Sequence, residues 1–275
     1  MLWDGRTLGH WTRELDRADV VINLAGRSVN CRYTPANRKA IVESRVESTR
    51  AIGEAIQRSH NPPPLWLQAS TATIYAHRFD ASNDENGIIG GDEVDAPDTW
   101  RFSIEVAKAW EAAVDEWELP RTRNVKLRSA MILSPDRGGI FDTLLALVRR
   151  GLGGTVGNGK QYISWIHEED FVRSIDWLIA HPELDGAVNV AAPQPLPNSE
   201  FMRVLRRAYG MPIGLPATRW MLEIGAIFMR TETELILKSR RVIAGRLASN
   251  GFEFNFPTWQ GAAAELRARW KQQRR

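Results

Sequence analysis

Cysteine occurs once in the 275 residues, as Cys31. That excludes an internal disulfide and leaves no Cys/His cluster of the kind that holds zinc, so a reducing cytoplasm is the expected compartment. No run of about 18 apolar residues is present, and the opening MLWDGRTLGHWTRELDRADV has no apolar stretch of its own. Neither a transmembrane helix nor a secretory signal is expected. Charge of one sign is scarce as well: 36 Lys and Arg stand against 33 Asp and Glu, a net +3. The terminal RARWKQQRR therefore reads as a solvated helix end rather than a nucleic-acid contact. GxSxG, HExxH and the P-loop are all missing, which removes the motif support for hydrolase and NTPase chemistry.

What is present is an ordinary globular content, 43% hydrophobic, enough for a real core. Residues Asp19 to Leu24 (DVVINL) form a short, nearly continuous apolar run, the pattern of a strand buried on both faces of a parallel sheet. From Ala36 to Ile56 the residues Val42, Val46, Thr49, Ile52 and Ile56 recur at three- and four-residue steps, which predicts a helix stopped by the prolines at 62–64. Strands are expected at Leu65 to Ala69, Asn124 to Leu133, Tyr162 to Ile166 and Ala187 to Val190. Helices are expected across Trp100 to Trp117, Ile140 to Arg150 and Glu168 to Ala180. This alternation predicts an α/β fold with a parallel, doubly wound sheet of Rossmann type. Beyond Pro193 it gives way to four helical stretches, Ser199 to Tyr209, Thr218 to Phe228, Thr231 to Leu247 and Thr258 to Lys271. The domain expectation is therefore 1–210 for the sheet-based part and 211–275 for a small helical module.

Chemistry-bearing residues gather around QASTATIY. Thr71 stands where a sheet strand should end, with Tyr75 four residues on; a hydroxyl there can bond a carbonyl or alcohol oxygen as its charge changes. The plain alternative is a turn or helix cap. GLGGTVGNGK has the glycine density of a phosphate cradle, but it follows a helix and precedes a strand. A dinucleotide fingerprint needs the opposite order, so a tight turn bordering the cleft is the better reading, with Lys160, Gln161 and Trp165 beside it. His167 and Asp170 sit at a helix start, ahead of the apolar stripe Phe171, Val172, Ile175, Leu178 and Ile179, and read as structural.

LAGRSVNCRYTPANRKAIVESRVEST, ASTATIY, KAWEAA, LRSAMILSPDRGG, GLGGTVGNGKQYISWIHEEDF, NVAAP and SNGFEF, taken in order, resemble consecutive blocks of the "epimerase family protein" group of atypical extended short-chain dehydrogenases/reductases. The resemblance covers nearly the whole chain, and the helical end is similar to the family's C-terminal domain of unknown function. It implies NADP or NAD as cofactor and a small-molecule substrate, with no nucleic-acid or membrane partner. Leu24, Ala25 and Gly26 match the loop after the family's fourth sheet strand, where the backbone nears the dinucleotide and Gly26 permits the approach. Arg27 stands where the family usually has Glu, and Arg32 with Tyr33 matches an Arg-Trp pair; either arginine reaches a cofactor phosphate or forms a surface salt bridge. Met131 matches a backbone position beside the cofactor, Ser70 joins the cofactor contacts, and Thr71 and Tyr75 are the catalytic candidates.

Two absences qualify this. The Tyr-x-x-x-Lys dyad, in which an ammonium lowers a phenol pKa for proton exchange, is missing. Alignment of Trp110 and Glu111 puts Ser103 and Ala107 at its positions, and the resembled family lacks it too. Chemistry must then use groups such as Thr71, Tyr75 or Lys108. The strand, Gly-rich turn and helix that open a Rossmann fold are missing as well: MLWDGRTLGHW resembles the stretch before the fourth strand, so the chain is expected to be N-terminally truncated, by a misplaced start or naturally. The expected function is an NAD(P)-dependent oxidoreductase or nucleotide-sugar epimerase-like protein acting on a small polar carbonyl or alcohol. The alternatives are a non-catalytic dinucleotide-binding sensor or scaffold, and a truncated product with impaired cofactor binding.

Overall fold

A computed structural model describes residues 3–94, 96–216 and 237–274. Its centre is a four-stranded parallel sheet in the order β1 (Val21–Asn23), β2 (Leu65–Thr71), β3 (Arg123–Ser129) and β7 (Gly186–Val190). Helices cross between successive strands: α1 (Pro35–Arg58) after β1 and α2 (Asp98–Asp115) after β2. α1 starts where the sequence supplies a cap and a preset φ, since Thr34 Oγ1 accepts from Asn37 N at 3.3 Å and Pro35 opens the first turn. β2 is buried along both faces, as a central strand must be.

The run predicted as one strand, Asn124 to Leu133, is two. β3 pairs with β7, and after Ala130 the chain continues as β4 (Met131–Leu133), which pairs with β6 (Trp165–His167) in a separate ribbon. The switch is made by the backbone: Ala130 N donates to Val190 O at 3.0 Å and Met131 N to Ser164 O at 3.2 Å. The strand predicted at Tyr162 to Ile166 also splits. β5 (Tyr162–Ile163) pairs antiparallel with β8 (Leu196–Pro197), while β6 turns to β4. Strand propensity marks a residue as extended but does not say which neighbour it pairs with.

The helices α3 (Ile140–Arg149), α4 (Glu168–Ala180) and α5 (Asn198–Tyr209) lie where predicted. Residues 218–228, and 231–236 of the next predicted helix, lie outside the described residues. The rest of that second stretch is not one helix: Leu237 is helical, residues 238–244 are not, and α6 (Gly245–Ser249) follows. This piece is held by bonds to residues 73–83. Ser239 N donates to His77 Nδ1 (2.8 Å), Lys238 Nζ to Thr73 O (2.7 Å), and Asn83 bridges Val242. The last helix, α7 (Trp259–Gln272), is capped by Thr258 and packs on α5, with Trp259 stacked on Phe201 at 4.2 Å.

α4 and the C-terminal residues form a clasp. Asp170, fully buried, accepts from Asn255 N (2.9 Å) and Phe256 N (2.8 Å). His167 Nδ1 accepts from Glu169 N, so its ring proton sits on Nε2 and bonds Glu265 Oε2 at 2.9 Å, with the ring stacked on Phe256. The structural reading of this pair is what the geometry gives. The glycine-rich stretch packs against residues 214–215: a Cβ on Gly154 would fall 2.3 Å from Leu215 O, so the residue is glycine because another backbone passes against it. Trp165 is wholly buried in the core with Trp259. Among the described residues no helix is long and apolar enough to cross a membrane.

Candidate active site

The carboxyl end of β2 opens onto a cavity of about 120 Å³. Thr71 and Thr73 line it from the strand end, Tyr33, Ile41 and Arg45 from the loop before α1 and from α1 itself, and Phe102, Ser103 and Trp110 from α2. It is somewhat smaller than a cavity of about 150 Å³ that admits benzene.

Thr71 is the last residue of β2, and its Oγ1 accepts from Thr73 N at 3.2 Å, capping the 3-10 turn Ala72–Ile74. The cap and the cavity-lining reading coexist, because accepting that bond leaves the hydroxyl hydrogen to donate to a ligand. The neighbouring loop is shaped by Asn23, whose Nδ2 donates to Gln68 Oε1 (3.0 Å) and whose Oδ1 accepts from Ala25 N (3.0 Å). That turns the backbone outward: Leu24 is 61% exposed, and Gly26 lies against Arg45, whose guanidinium carbon is 3.2 Å from where a Cβ would stand.

Arg27 is fastened to α1, with N donating to Ser44 Oγ (2.9 Å) and Nη2 to Asn37 Oδ1 (2.8 Å). Arg32 is exposed nearby, and its carbonyl accepts from Asn37 Nδ2 at 2.7 Å. Met131 opens β4, half-buried against the core that contains Leu133 and Trp165. Lys108 is exposed on α2, with its Nζ beside Gly91.

Ser70 and Tyr75 are brought to the same strand end, but their hydroxyls are engaged beneath it. Ser70 Oγ donates to Glu111 Oε1 at 2.6 Å. Glu111 takes a two-point contact from Arg128, Nε to Oε1 (2.8 Å) and Nη2 to Oε2 (2.7 Å). Arg128 Nη1 donates to Tyr75 Oη at 2.9 Å, and Tyr75 Oη donates to Asn189 Oδ1 at 2.8 Å. Tyr75 is 2% exposed, and burial pushes its phenol above the ordinary range although Arg128 opposes this. Burial works against the Arg128 charge, yet the bonds to Glu111 outweigh it and hold the guanidinium above its ordinary pKa.

Arg45 is the residue sequence reasoning passed over. Its Nη1 donates to the carbonyls of Arg27 (3.0 Å) and Ile41 (3.1 Å), and the guanidinium lies 4.8 Å from the Trp110 ring centroid. No carboxylate among the described residues pairs with it, and burial pushes its pKa down, opposed only by Tyr33. A signal existed in the sequence: Ile41, Arg45, Thr49 and Ile52 share one helical stripe, and a cation in such a stripe has to be accommodated. The described residues contain no cluster of His, Cys, Asp and Glu able to hold a metal.

Residues 4–191 match the profile of the NAD dependent epimerase/dehydratase family. The chain belongs to that family. A second profile, a domain of unknown function (DUF1731), matches residues 217–266 of this epimerase/dehydratase family member. The bovine epimerase family protein SDR39U1 is 31% identical over 270 residues, covering 96% of this chain and 86% of the bovine protein. YfhF of Bacillus subtilis, also called an epimerase family protein, is 29% identical over 92% of this chain and 80% of its own length. A crystal structure of the human epimerase family protein SDR39U1 with NADPH superimposes with a TM-score of 0.82 at 28% identity, covering 92% of this chain and 83% of that one.

Proposed function

We propose that the chain is an NAD(P)-dependent oxidoreductase or epimerase-like enzyme acting on a small polar carbonyl or alcohol, nucleotide-linked sugars included. The observation that carries this is the cavity at the end of β2, with the Thr71 hydroxyl on its wall and the exposed backbone at Gly26 beside it. The residues present suit the nicotinamide end of a dinucleotide: an open backbone turn, a donor hydroxyl, and an arginine, Arg45, with no carboxylate of its own among the described residues. NADP(H) or NAD(H) would be held along Leu24, Ala25 and Gly26, with Arg27, Arg32, Ser70 and Met131 around that edge. When bound, the nicotinamide supplies or accepts a hydride. Thr71 holds the reacting oxygen by donating its hydroxyl hydrogen, a bond that strengthens as negative charge grows there. Tyr75 enters this reading behind the site, holding Arg128 and Asn189 in place under the strand end.

The presence of NADPH in the human relative supports this cofactor class. The two family profiles, ending at 191 and beginning at 217, support a division near residue 210. A cytoplasmic location is part of the proposal and is supported by the single cysteine.

The test is a titration with NADPH and NADH read by tryptophan fluorescence, since Trp110 lines the cavity. Saturable quenching is expected, and carbonyl reduction by Thr71→Val should fall about tenfold or more. Unchanged turnover in Thr71→Val would remove Thr71 from the mechanism, and absence of quenching with either nucleotide would remove the cofactor.

A further inference from the structure

The positions on α2 that would carry the tyrosine and lysine of a proton-exchange dyad are Ser103, which lines the cavity, and Ala107, which is wholly buried. Neither can exchange a proton with substrate in the way a phenol does, yet the cavity does contain a phenol. Tyr33, carried by the loop ahead of α1, lines the same wall, 9% exposed, with its ring edge-on to Phe102 at 5.0 Å. Its hydroxyl lies 3.5 Å from Ser103 Oγ, so the phenol from one element reaches the place where a helix-borne tyrosine would stand. The cavity also contains a cation. Arg45 lines it from α1, tied only to backbone carbonyls and the Trp110 ring among its described contacts.

We propose that Tyr33 is the proton donor to the reacting oxygen in this cavity and that Arg45 is the cation that activates its phenol. The assignment rests on the oxidoreductase reading above. In the reducing direction the carbonyl carbon gains a hydride, with its electron pair, from a reduced nicotinamide, which is thereby oxidised. The C=O π pair moves to oxygen, that oxygen takes the Tyr33 proton while Thr71 donates a hydrogen bond to it, and the product is an alcohol. The Tyr33 phenolate, in the cavity that Arg45 also lines, recovers a proton from water. In the other direction the phenolate accepts the alcohol proton.

The coupling to Arg45 has the required sign, while burial of the Tyr33 ring works against it. Tyr33 is the group that offsets the loss Arg45 suffers on burial, and an interaction energy between two sites is one quantity, so Arg45 favours the phenolate equally. An arginine suits this role because it stays charged at every working pH. Arg38, whose Nε donates to Tyr33 O (3.1 Å) and whose guanidinium lies over the Phe102 ring, is bound to Asp98, and Arg32 is the neighbouring residue.

Ultraviolet titration of phenol ionisation tests this on the free protein, which has four tyrosines. One phenol is expected to ionise below about pH 9, against about 10 for an ordinary tyrosine. That early phenol should vanish in Tyr33→Phe, a change that keeps the ring, and should return to about 10 or above in Arg45→Met. It should persist in Tyr75→Phe. With NADPH and a panel of small carbonyls, Tyr33→Phe should lower kcat about 100-fold or more while leaving NADPH affinity within about twofold. An early phenol that survives in Tyr33→Phe, or none in the parent protein, overturns the assignment. NADPH binding is read separately, so its absence overturns the function proposed above, whereas an ordinary phenol titration overturns Tyr33 alone.

Discussion

Two arginines lie near the carboxyl end of the sheet, and their surroundings are opposite. Arg128 is buried and saturated: a two-point contact with Glu111, a bond to Tyr75, and a pKa held above its ordinary value. Arg45 is half-buried, bonded to two backbone carbonyls, unmatched by any described carboxylate, and pushed down by burial. A charge whose partners are all within the protein has nothing left to offer a ligand. A charge left uncompensated at a cavity wall costs folding free energy and is available to an anion, a phenolate or a developing negative oxygen. The contrast separates the residues that build the strand end from those that act on it.

The contrast breaks most visibly at Glu111. Glu111→Gln leaves the Arg128 charge buried without its counter-charge and should destabilise the fold by about 3–5 kcal/mol, measured by urea denaturation. Next is Tyr75→Phe, which strips one bond from Arg128 and one from Asn189 and should cost about 2 kcal/mol with NADPH affinity unchanged. A large loss of affinity there would move Tyr75 from the supporting network into the site. Arg45→Met should cost only about 1 kcal/mol, because desolvation of an unmatched cation is relieved as two bonds to carbonyls are lost. A loss as large as that of Glu111→Gln would show that Arg45 is a structural charge after all.

The smallest effect concerns His77, where burial, then Lys238, pushes the imidazole below its ordinary pKa. Its Nδ1 accepts from Ser239 N and so anchors residues 238–244. The folded ring resists protonation, so as pH falls the unfolded chain takes up the proton first. Stability is therefore lost from about pH 6.5 downward, until the folded ring is itself protonated. His77→Gln should flatten this part of the pH dependence of Tm, and an unaltered curve would assign it to other groups.

The order of elements was readable because strands such as β1 and β2 are short apolar runs and the covering helices repeat at three and four residues. Thr71 was readable for the same reason, since the strand that carries it ends there. Three features depended on long-range pairing. The break at Ala130 reflects a change of partner from β7 to β6, a long-range choice that the local sequence does not state. Residues 238–244 carry helical spacing, but bonds from Lys238 and Ser239 to residues 73–78 hold them out of a helix. The Tyr75 hydroxyl, expected beside Thr71 in the cleft, is met by Arg128, 53 residues away, and Asn189, 114 residues away. Arg45 had a legible signature, a charge on a buried stripe, but only the approach of the Gly26 loop and α2 shows which cavity that charge faces.

The clasp between α4 and the C-terminal residues sets an order of events during synthesis. Asp170 finds its first backbone donor 85 residues later, at Asn255. At about 5–20 residues per second the ribosome takes roughly 4 to 17 s to make that stretch. Through that interval β6 and α4 exist with a carboxylate and an imidazole that lack the partners they will be buried with. The sheet strands are all synthesised before the segment that seals them, so the nascent chain passes through a stage in which a chaperone or a protease meets the open face of α4. A stop codon placed just before Asn255 would hold the protein in that stage permanently.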